Sequence, residues 1–189
     1  MNISIRQAVP DDARYVAPLI YDAIGEIANR LTGQSEYTQI INELEELFTR
    51  TDNRHTYLNT YVAVHVESTN IVGILVVYSG LDGRKLDQSL EKHLKRKNAP
   101  VTTIEIEAHD DEFYVDTICV HHSVRGQGVG TKLLHFAEQV AKSKGYSKIS
   151  LNVETQKEQA RHLYEKVGYV ITEPWTIINE PFYHMVKNI

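Results

Sequence analysis

VDTICVHHSVRGQGVG, at Val115–Gly130, is the stretch of sequence that decides the fold. Val115, Ile118 and Val120 form a short apolar run that predicts a strand, and the closely spaced glycines after it predict a turn with little side-chain bulk. Apolar residues then recur at helical spacing from Val129 onward. A strand, turn and helix of this kind can bind an anion, because successive backbone N–H groups and the positive end of the helix dipole face one concavity.

The overall composition is that of an ordinary globular protein. The chain has 189 residues, of which 42% are hydrophobic and 24% are charged, and this length predicts a single domain over residues 1–189. The net charge is −5 and the sequence pI is near 6.0. A chain with that charge has no overall electrostatic attraction for polyanions, so we expect neither a nucleic-acid nor a membrane partner.

Cysteine usage and the N-terminal sequence bear on the compartment. Cys119 is the only cysteine, which excludes an internal disulfide and a multi-cysteine zinc site and suits a reducing environment. The first residues lack the apolar core of a signal peptide, and no stretch approaches the ~20 apolar residues that span a bilayer. We therefore expect a cytoplasmic protein.

Periodicity before the deciding stretch predicts helices and a hairpin. A strand is expected at residues 3–8, and the pattern from Val16 to Leu31 predicts one helix that ends at Gly33. A second helix is expected at residues 35–50, and two β-rich runs, Thr56–Glu67 and Ile71–Tyr78, predict a hairpin.

Residues 79–112 form an insertion whose pattern is less regular. A polar helix-like segment begins near Leu86, and the alternation of Val101–Glu107 predicts an extra strand. After the deciding stretch we expect a strand at Lys148–Val153, a helix that ends at Gly168, and β-rich pieces separated by Pro174 and Pro181.

Two common phosphate-binding motifs do not fit the glycine turn, Arg125–Gly130. A Walker-type loop ends in Gly-Lys-Ser/Thr, whereas Gly130 is followed by Thr131 and then Lys132. The dinucleotide fingerprint needs Gly-x-Gly-x-x-Gly, and the glycines here stand at 126, 128 and 130.

The glycine turn resembles the acetyl-CoA-binding signature of the GNAT superfamily of N-acetyltransferases. Arg125-Gly-Gln-Gly-Val-Gly130 meets the family pattern Arg/Gln-x-x-Gly-x-Gly/Ala in full. Further features of the family follow in order: Asn152 near the end of a strand, Ala160, Leu163-Tyr164 and Gly168-Tyr169. The series makes the resemblance much more specific than the turn alone, and it covers about Val115–Val170.

The resemblance implies a fold, a cosubstrate and a set of residues that bind it. The fold is an α/β arrangement with a mixed, mostly antiparallel sheet of about six to seven strands, flanked by about four helices, in which strands four and five splay apart. Acetyl-CoA is the implied cosubstrate, with its pyrophosphate on the glycine turn and its pantetheine arm between the splayed strands. The implied binding residues are Ile118, Cys119, Val120, Arg125, Gly126, Gln127, Gly128, Val129, Gly130, Asn152 and Tyr164.

The resemblance also implies that an amine attacks the thioester directly, with Tyr164 as the candidate acid and Asp116 as the candidate base. A phenol stays protonated at neutral pH, since its reference pKa is ~10, and it can therefore donate to the departing thiolate. Asp116 stands where many family members carry a glutamate, and strand alternation would place it on one face with Ile118 and Val120.

Several other residues remain alternatives at this stage. Other candidate bases are Glu105, Glu107, Glu112, His121 and His122. His109-Asp-Asp-Glu112 has the composition of metal ligands, but a polar turn is the simpler interpretation and the reaction needs no metal. Cys119 points to the opposite face from Ile118 and Val120, which predicts a small core residue rather than a nucleophile.

Two functions from different classes follow. The first is an acetyl-CoA-dependent N-acetyltransferase that acts on a primary amine of a small molecule or a peptide, and the second is a non-catalytic acyl-CoA-binding regulatory domain. Tyr164 favours the enzyme. Acidic residues are concentrated between Glu105 and Asp116, which would attract a cationic amine. The β-rich C-terminal pieces also leave a homodimer contact open.

Overall fold

A seven-stranded sheet forms the centre of the structure, a computed structural model that describes residues 1–189. Its strands are β1 (Ile3–Gln7), β2 (Thr60–His65), β3 (Ile71–Ser79), β4 (Phe113–Val120), β5 (Lys148–Glu154), β6 (Val170–Ile177) and β7 (Glu180–Asn188). They lie in the order β1-β2-β3-β4-β5-β7-β6. Only the β4–β5 pair is parallel, which confirms the predicted mixed, mostly antiparallel sheet.

Six α-helices surround the sheet. They are α1 (Ala13–Ile24), α2 (Ile27–Thr32), α3 (Tyr37–Thr49), α4 (Gly80–Arg96), α5 (Val129–Ser143) and α6 (Glu158–Lys166). None of them combines the length and the apolar character that a helix needs to cross a bilayer.

Two apolar clusters cover the two faces of the sheet. Neighbouring residues of β3 face opposite sides, as the pleat requires. Ile74 belongs to the cluster formed with α1 and α3, and Leu75 to the cluster formed with α5. On α5 the buried residues recur every three or four positions, including Leu133, Leu134, Ala137 and Ala141, so one stripe of this helix packs on the sheet.

The strands β4 and β5 separate soon after they begin to pair. Their ladder contains Phe113 with Ile149, Tyr114 with Ser150 and Val115 with Leu151. From Asp116 onward β4 has no partner on this side, while its pairing with β3 continues to Val120. The predicted splay is therefore confirmed, and a wedge-shaped gap opens at the level of Asp116.

The first predicted helix is two helices in the structure. Gly25 has a φ of 54°, a left-handed value that α-helical geometry does not allow, and the chain bends there between α1 and α2. Apolar residues continue to recur every three or four positions across this bend, because each of the two helices has one buried face. The break, together with the long helix α4, raises the number of helices above the expected four.

The predicted extra strand at Val101–Glu107 is wrong. This segment runs as an irregular chain, and side chains rather than a neighbouring strand satisfy its backbone. The bonds run from Arg30 to Thr103 O, from Ile104 N to Glu91, from Arg54 to Glu105 O, from Trp175 to Ile106 O, and from Asn152 to Glu107 O. Of its apolar residues only Ile104 is buried, packed against Leu90 and Leu94, whereas Val101 and Ile106 are exposed, so the alternation does not correspond to one buried face.

The prolines at the C-terminus lie within strands instead of separating them. Pro174 lies in β6, which is the outermost strand of the sheet, and Pro181 is the second residue of β7, where it pairs with Thr176. An edge strand tolerates proline because one of its sides donates to no neighbour.

Candidate active site

A cavity of about 720 Å³ occupies the gap between β4 and β5. Strand residues of both walls line it, together with the glycine turn and the start of α5, one side of α6, and residues of α1 and α2. Every residue predicted to bind the cosubstrate lines this cavity except Gln127, which points to solvent. The structure thus brings together residues from four separate segments of the sequence.

The glycine turn presents a row of free amide groups to the cavity. The backbone N–H groups from Gly126 to Thr131 have no acceptor within the protein, since the first bond of α5 is made by Lys132 to Gly128 O. Gly126 and Gly128 have φ values of 77° and 80°, which favour glycine at both positions. The turn can therefore surround a phosphate oxygen with donors, at the positive end of a 15-residue helix.

Positive side chains also line the cavity. Arg125, Lys157 and Lys166 all line it. Arg125 is anchored through its Nε atom to Val120 O at 3.0 Å, which holds its guanidinium beside the turn. A wall of this composition suits a ligand that carries several phosphate charges.

Tyr164 lies on α6 with its side chain against the cavity. The residue is 9% exposed, and its hydroxyl bonds to no other group of the protein. Burial, with a smaller contribution from Cys119, raises the pKa of Tyr164 to about 12. The phenol therefore stays protonated at neutral pH and is free to donate to a ligand.

Cys119 packs into the cluster of α1 and α3, while Ile118 and Val120 pack on the α5 side, as alternation predicts. The residue is 6% exposed, and burial raises the pKa of its thiol to about 11. A thiol in this state is a poor nucleophile at neutral pH, because the thiolate is the reactive form.

We expect Cys119 to resist alkylation in the folded protein. At pH 8, iodoacetamide should label it roughly 100-fold more slowly than in urea, since both access and thiolate fraction are reduced. Labelling followed by intact mass measures this ratio, and equal rates in the two conditions would contradict the burial of the thiol.

The predicted face of Asp116 is wrong. In the ladder with β3, Val76 pairs with Thr117 and Val77 with Val115, which leaves Asp116 as the extra residue of a β-bulge. The bulge turns its side chain to the face opposite Ile118 and Val120. There it accepts hydrogen bonds from Tyr78 and Thr117 at 3.0 and 2.7 Å.

Asp116 belongs to a buried charge cluster that the sequence did not reveal. Arg54, only 2% exposed, forms ion pairs with Asp87 at 2.6 Å, with Asp116 at 3.3 Å, and with Glu107. Burial raises the pKa of Glu107, against the attraction of Arg54. Burial also raises the pKa of Asp116, but the electrostatic attraction of His55, the hydrogen bond from His55 and the charge of Arg54 outweigh it and hold that pKa well below the usual range. Asp116 is therefore a fixed anion and a weak proton acceptor.

His55 is the second residue of this cluster that sequence reasoning missed. Its Nε2 atom lies 3.1 Å from Asp116 Oδ2 and 3.2 Å from Thr117 Oγ1, and the side chain lines the cavity. Arg54 and His55 stand in a polar loop after α3, where no periodic pattern indicates burial.

Asn152 lines the cavity, but its amide is already bonded within the protein. It donates to Glu107 O at 2.8 Å and to Tyr114 Oη at 3.2 Å, and its oxygen lies 2.7 Å from His184 Nδ1. A side chain held in this way braces the irregular segment against β5. Both N–H groups of Asn152 are used, but its carbonyl oxygen has a second lone pair, so the contact with pantetheine amides that the resemblance implies would be one in which Asn152 accepts.

The other candidate bases lie in different surroundings. Glu112 is buried against His184 at 3.0 Å, and this pair does not line the cavity. Glu105 pairs with Arg30 near the surface, and His121 and His122 stack on each other outside the cavity. Only Glu107 and Asp116 among the predicted acidic candidates reach the cavity.

Comparison with known proteins places the chain in a family. The model of the Acetyltransferase (GNAT) family matches residues 26–169, more than half of the chain. The chain belongs to the GNAT acetyltransferase family. The splayed strands, the glycine turn and the cavity between them are thus features of an acetyltransferase fold.

Solved GNAT structures resemble this one over almost its whole length. An acetyltransferase crystal structure is 29% identical with a TM-score of 0.81, and the match covers 98% of this chain and 99% of that one. An N-acetyltransferase from Staphylococcus aureus Mu50 is 26% identical with a TM-score of 0.79, over 97% and 99% of the two chains.

A curated relative matches over a shorter segment. The GCN5-related N-acetyltransferase 6, chloroplastic, of Arabidopsis thaliana is 33% identical over 60 residues, which are 32% of this chain and 21% of that protein. The matched segment therefore spans about a fifth of the relative's length.

Proposed function

We propose that this protein transfers the acetyl group of acetyl-CoA to a primary amine of a small molecule or peptide, by direct attack within a ternary complex. The observation that carries the proposal is the row of unbonded amides from Gly126 to Thr131, at one end of a cavity that also contains the free hydroxyl of Tyr164. Phosphate-binding donors and a proton donor for a thiolate thus face one space.

The donor half of the reaction is assigned to the gap between β4 and β5. Coenzyme A carries phosphates at one end and a slender pantetheine arm at the other. The phosphates would bind the glycine turn, and the arm would pair with the free backbone edge of Ile118, Cys119 and Val120 as an added strand. This arrangement directs the thioester towards Tyr164.

The acceptor half is assigned to the part of the cavity that α1, α2 and the start of β7 line. Ile24, Ile27 and Phe182 supply apolar surface there, and Asp22 and Glu107 supply negative charge to the lining. This combination suits an amine that is positively charged in solution and carries an apolar body. We further propose a cytoplasmic location, which the free thiol of Cys119 suits.

A screen of acceptors tests the function. Purified protein would be incubated with acetyl-CoA and spermidine, tyramine, kanamycin or a lysine-containing peptide, and the released thiol would be measured. Amine-dependent release supports the enzyme. Tight binding of acetyl-CoA without release across amines of all these classes would instead identify a non-catalytic acyl-CoA-binding domain.

Replacing Gly128 by glutamate is expected to weaken acetyl-CoA binding at least about tenfold, because a carboxylate would enter the phosphate site. Gly145→Glu is a matched control. Both glycines have similar positive φ values, 80° and 82°, and at neither would an added Cβ have an atom within 4 Å, but only Gly128 lines the cavity. Both variants should lose similar stability from backbone strain. Calorimetric affinities that fall equally would refute the phosphate site.

A further inference from the structure

We infer that His55 is the general base of the reaction, held in place by Asp116. This inference rests on the proposed function, and it assigns the proton acceptor that the resemblance left open. It starts from a ring nitrogen of His55 that has no hydrogen-bond partner. The Nδ1 atom of His55 is buried without any hydrogen-bond partner, in a side chain that is 1% exposed and lines the cavity. Most buried polar atoms in proteins have a hydrogen-bond partner, and a catalytic role is one explanation of an exception. Of the four buried side-chain atoms without a partner in this protein, only His55 Nδ1 belongs to a residue that lines the cavity.

The hydrogen-bond pattern fixes which ring nitrogen of His55 carries the proton. Thr117 Oγ1 donates to Asp116 Oδ2 at 2.7 Å, so its lone pair faces the ring. His55 Nε2 therefore points at two acceptors, a carboxylate and a hydroxyl oxygen, and carries the hydrogen. The lone pair is left on Nδ1. A carboxylate that orients an imidazole in this way also stabilises the imidazolium that forms when a proton arrives.

The other cavity acids are less suited to accept a proton. Asp116 is an anion that pairs with Arg54 and bonds to His55. Both oxygens of Glu107 are used, one by Arg54 and the other by Tyr114 Oη at 2.9 Å. Asp22 and Glu154 also line the cavity, but Asp22 is exposed and Glu154 pairs with Lys157. Among the buried imidazole and carboxylate groups of the cavity wall, only His55 has an acceptor atom without any partner. The titratable group in contact with it is Asp116, which belongs to a cluster with Arg54, Tyr78, Asp87, Glu107 and Tyr114.

The chemical step balances with His55 in this role. Nδ1 takes one proton from the acceptor ammonium, and the freed nitrogen lone pair forms the C–N bond with the acetyl carbonyl. The C–S bond breaks, and its electron pair goes to sulfur, where Tyr164 donates a hydrogen bond. The second N–H proton ends on the thiol, and the proton on His55 returns to solvent. Acetyl-CoA and an ammonium thus give an amide, coenzyme A and one proton.

Chemical rescue tests this assignment with the best amine of the screen. His55→Ala should lower kcat about 100-fold or more, as loss of a general base does. Added imidazole should restore part of the rate, because the deletion opens space beside the cavity. Substituted imidazoles should rescue in the order of their basicity, a response that a purely structural histidine would not produce. In His55→Gln the amide keeps a donor for Asp116 but offers no base, so we expect the same loss without rescue.

His93→Ala serves as the control for losing a buried histidine. His93 is 5% exposed and bonds a carboxylate, Glu43, at 2.5 Å, but it lies outside the cavity. Its variant should lose stability and keep kcat, with no response to imidazole. Melting temperature and acetyl-CoA affinity establish that each variant is folded.

Two results would overturn the assignment while leaving the function intact. One is a folded His55→Gln that keeps kcat within threefold of the wild type. The other is a folded His55→Ala whose lost rate no imidazole restores. Absence of turnover by the wild-type protein with every amine would refute the proposed function itself, and the base with it.

Discussion

Replacing Arg54 by methionine is expected to lower the free energy of unfolding by about 3–5 kcal/mol. The guanidinium is buried and is the one charged group that contacts all three of Asp87, Glu107 and Asp116. Without it, three carboxylates would face one another away from water, and the cost of uncompensated buried charge is much larger than the net gain from a surface pair. Urea unfolding followed by circular dichroism measures the change.

The control for this variant is Arg84→Met. Arg84 also pairs with a carboxylate, Glu91 at 3.1 Å, but its side chain is 48% exposed. An exposed pair contributes at most about 1 kcal/mol. Should the two arginine variants lose equal stability, the buried cluster would not be the source of the effect.

Replacing Tyr164 by phenylalanine is expected to lower kcat about 100-fold, the usual cost of removing one donor from a developing negative charge. With a pKa near 12 the phenol is a weaker acid than a thiol. Its main contribution is therefore a hydrogen bond to the departing thiolate, which strengthens as the C–S bond breaks. The affinity for acetyl-CoA should change little, because that charge is absent from the ground state.

Tyr169→Phe is the matched control for this substitution. Tyr169 is 1% exposed and its hydroxyl also lacks a partner, but it does not line the cavity. Removing that hydroxyl should leave kcat unchanged. The kcat of both variants is measured by steady-state kinetics at saturating acetyl-CoA. An unchanged kcat in Tyr164→Phe would show that the phenol has no part in the mechanism.

The parts of the fold that were predictable from sequence are those with strong local signals. The apolar run of β4, the glycines at 126, 128 and 130 and the periodic face of α5 all follow from side-chain pattern and backbone freedom. The bend at Gly25 was not predictable, since apolar spacing continues across it. The alternation of Val101–Glu107 suggested a strand, but Val101 and Ile106 are exposed and the backbone bonds to side chains of distant residues, which a local pattern does not reveal.

In the candidate site, too, the residues that were predictable are those with a local sequence signal. The donor-binding residues are local in sequence, so a motif could indicate them. Arg54 and His55 come from a loop far from β4 in the sequence. Arg54 bonds to Asp116, and His55 to Thr117, each across 62 residues, so only the folded chain brings them together. The orientation of Asp116 depends on a single extra residue in the β4 ladder, and a bulge reverses the face that alternation assigns.

The early end of the β4–β5 ladder also bears on how the protein avoids aggregation. A strand edge with free N–H and C=O groups is a template on which another chain can add a strand, and sheet proteins usually cover or charge such edges. Here the free edge from Asp116 to Val120 lies at the bottom of a cleft, between walls that include Val129 of α5 and Leu163 of α6. A single slender chain can reach it, whereas a second sheet is too wide to enter. The same backbone groups are therefore open to a ligand and closed to another protein.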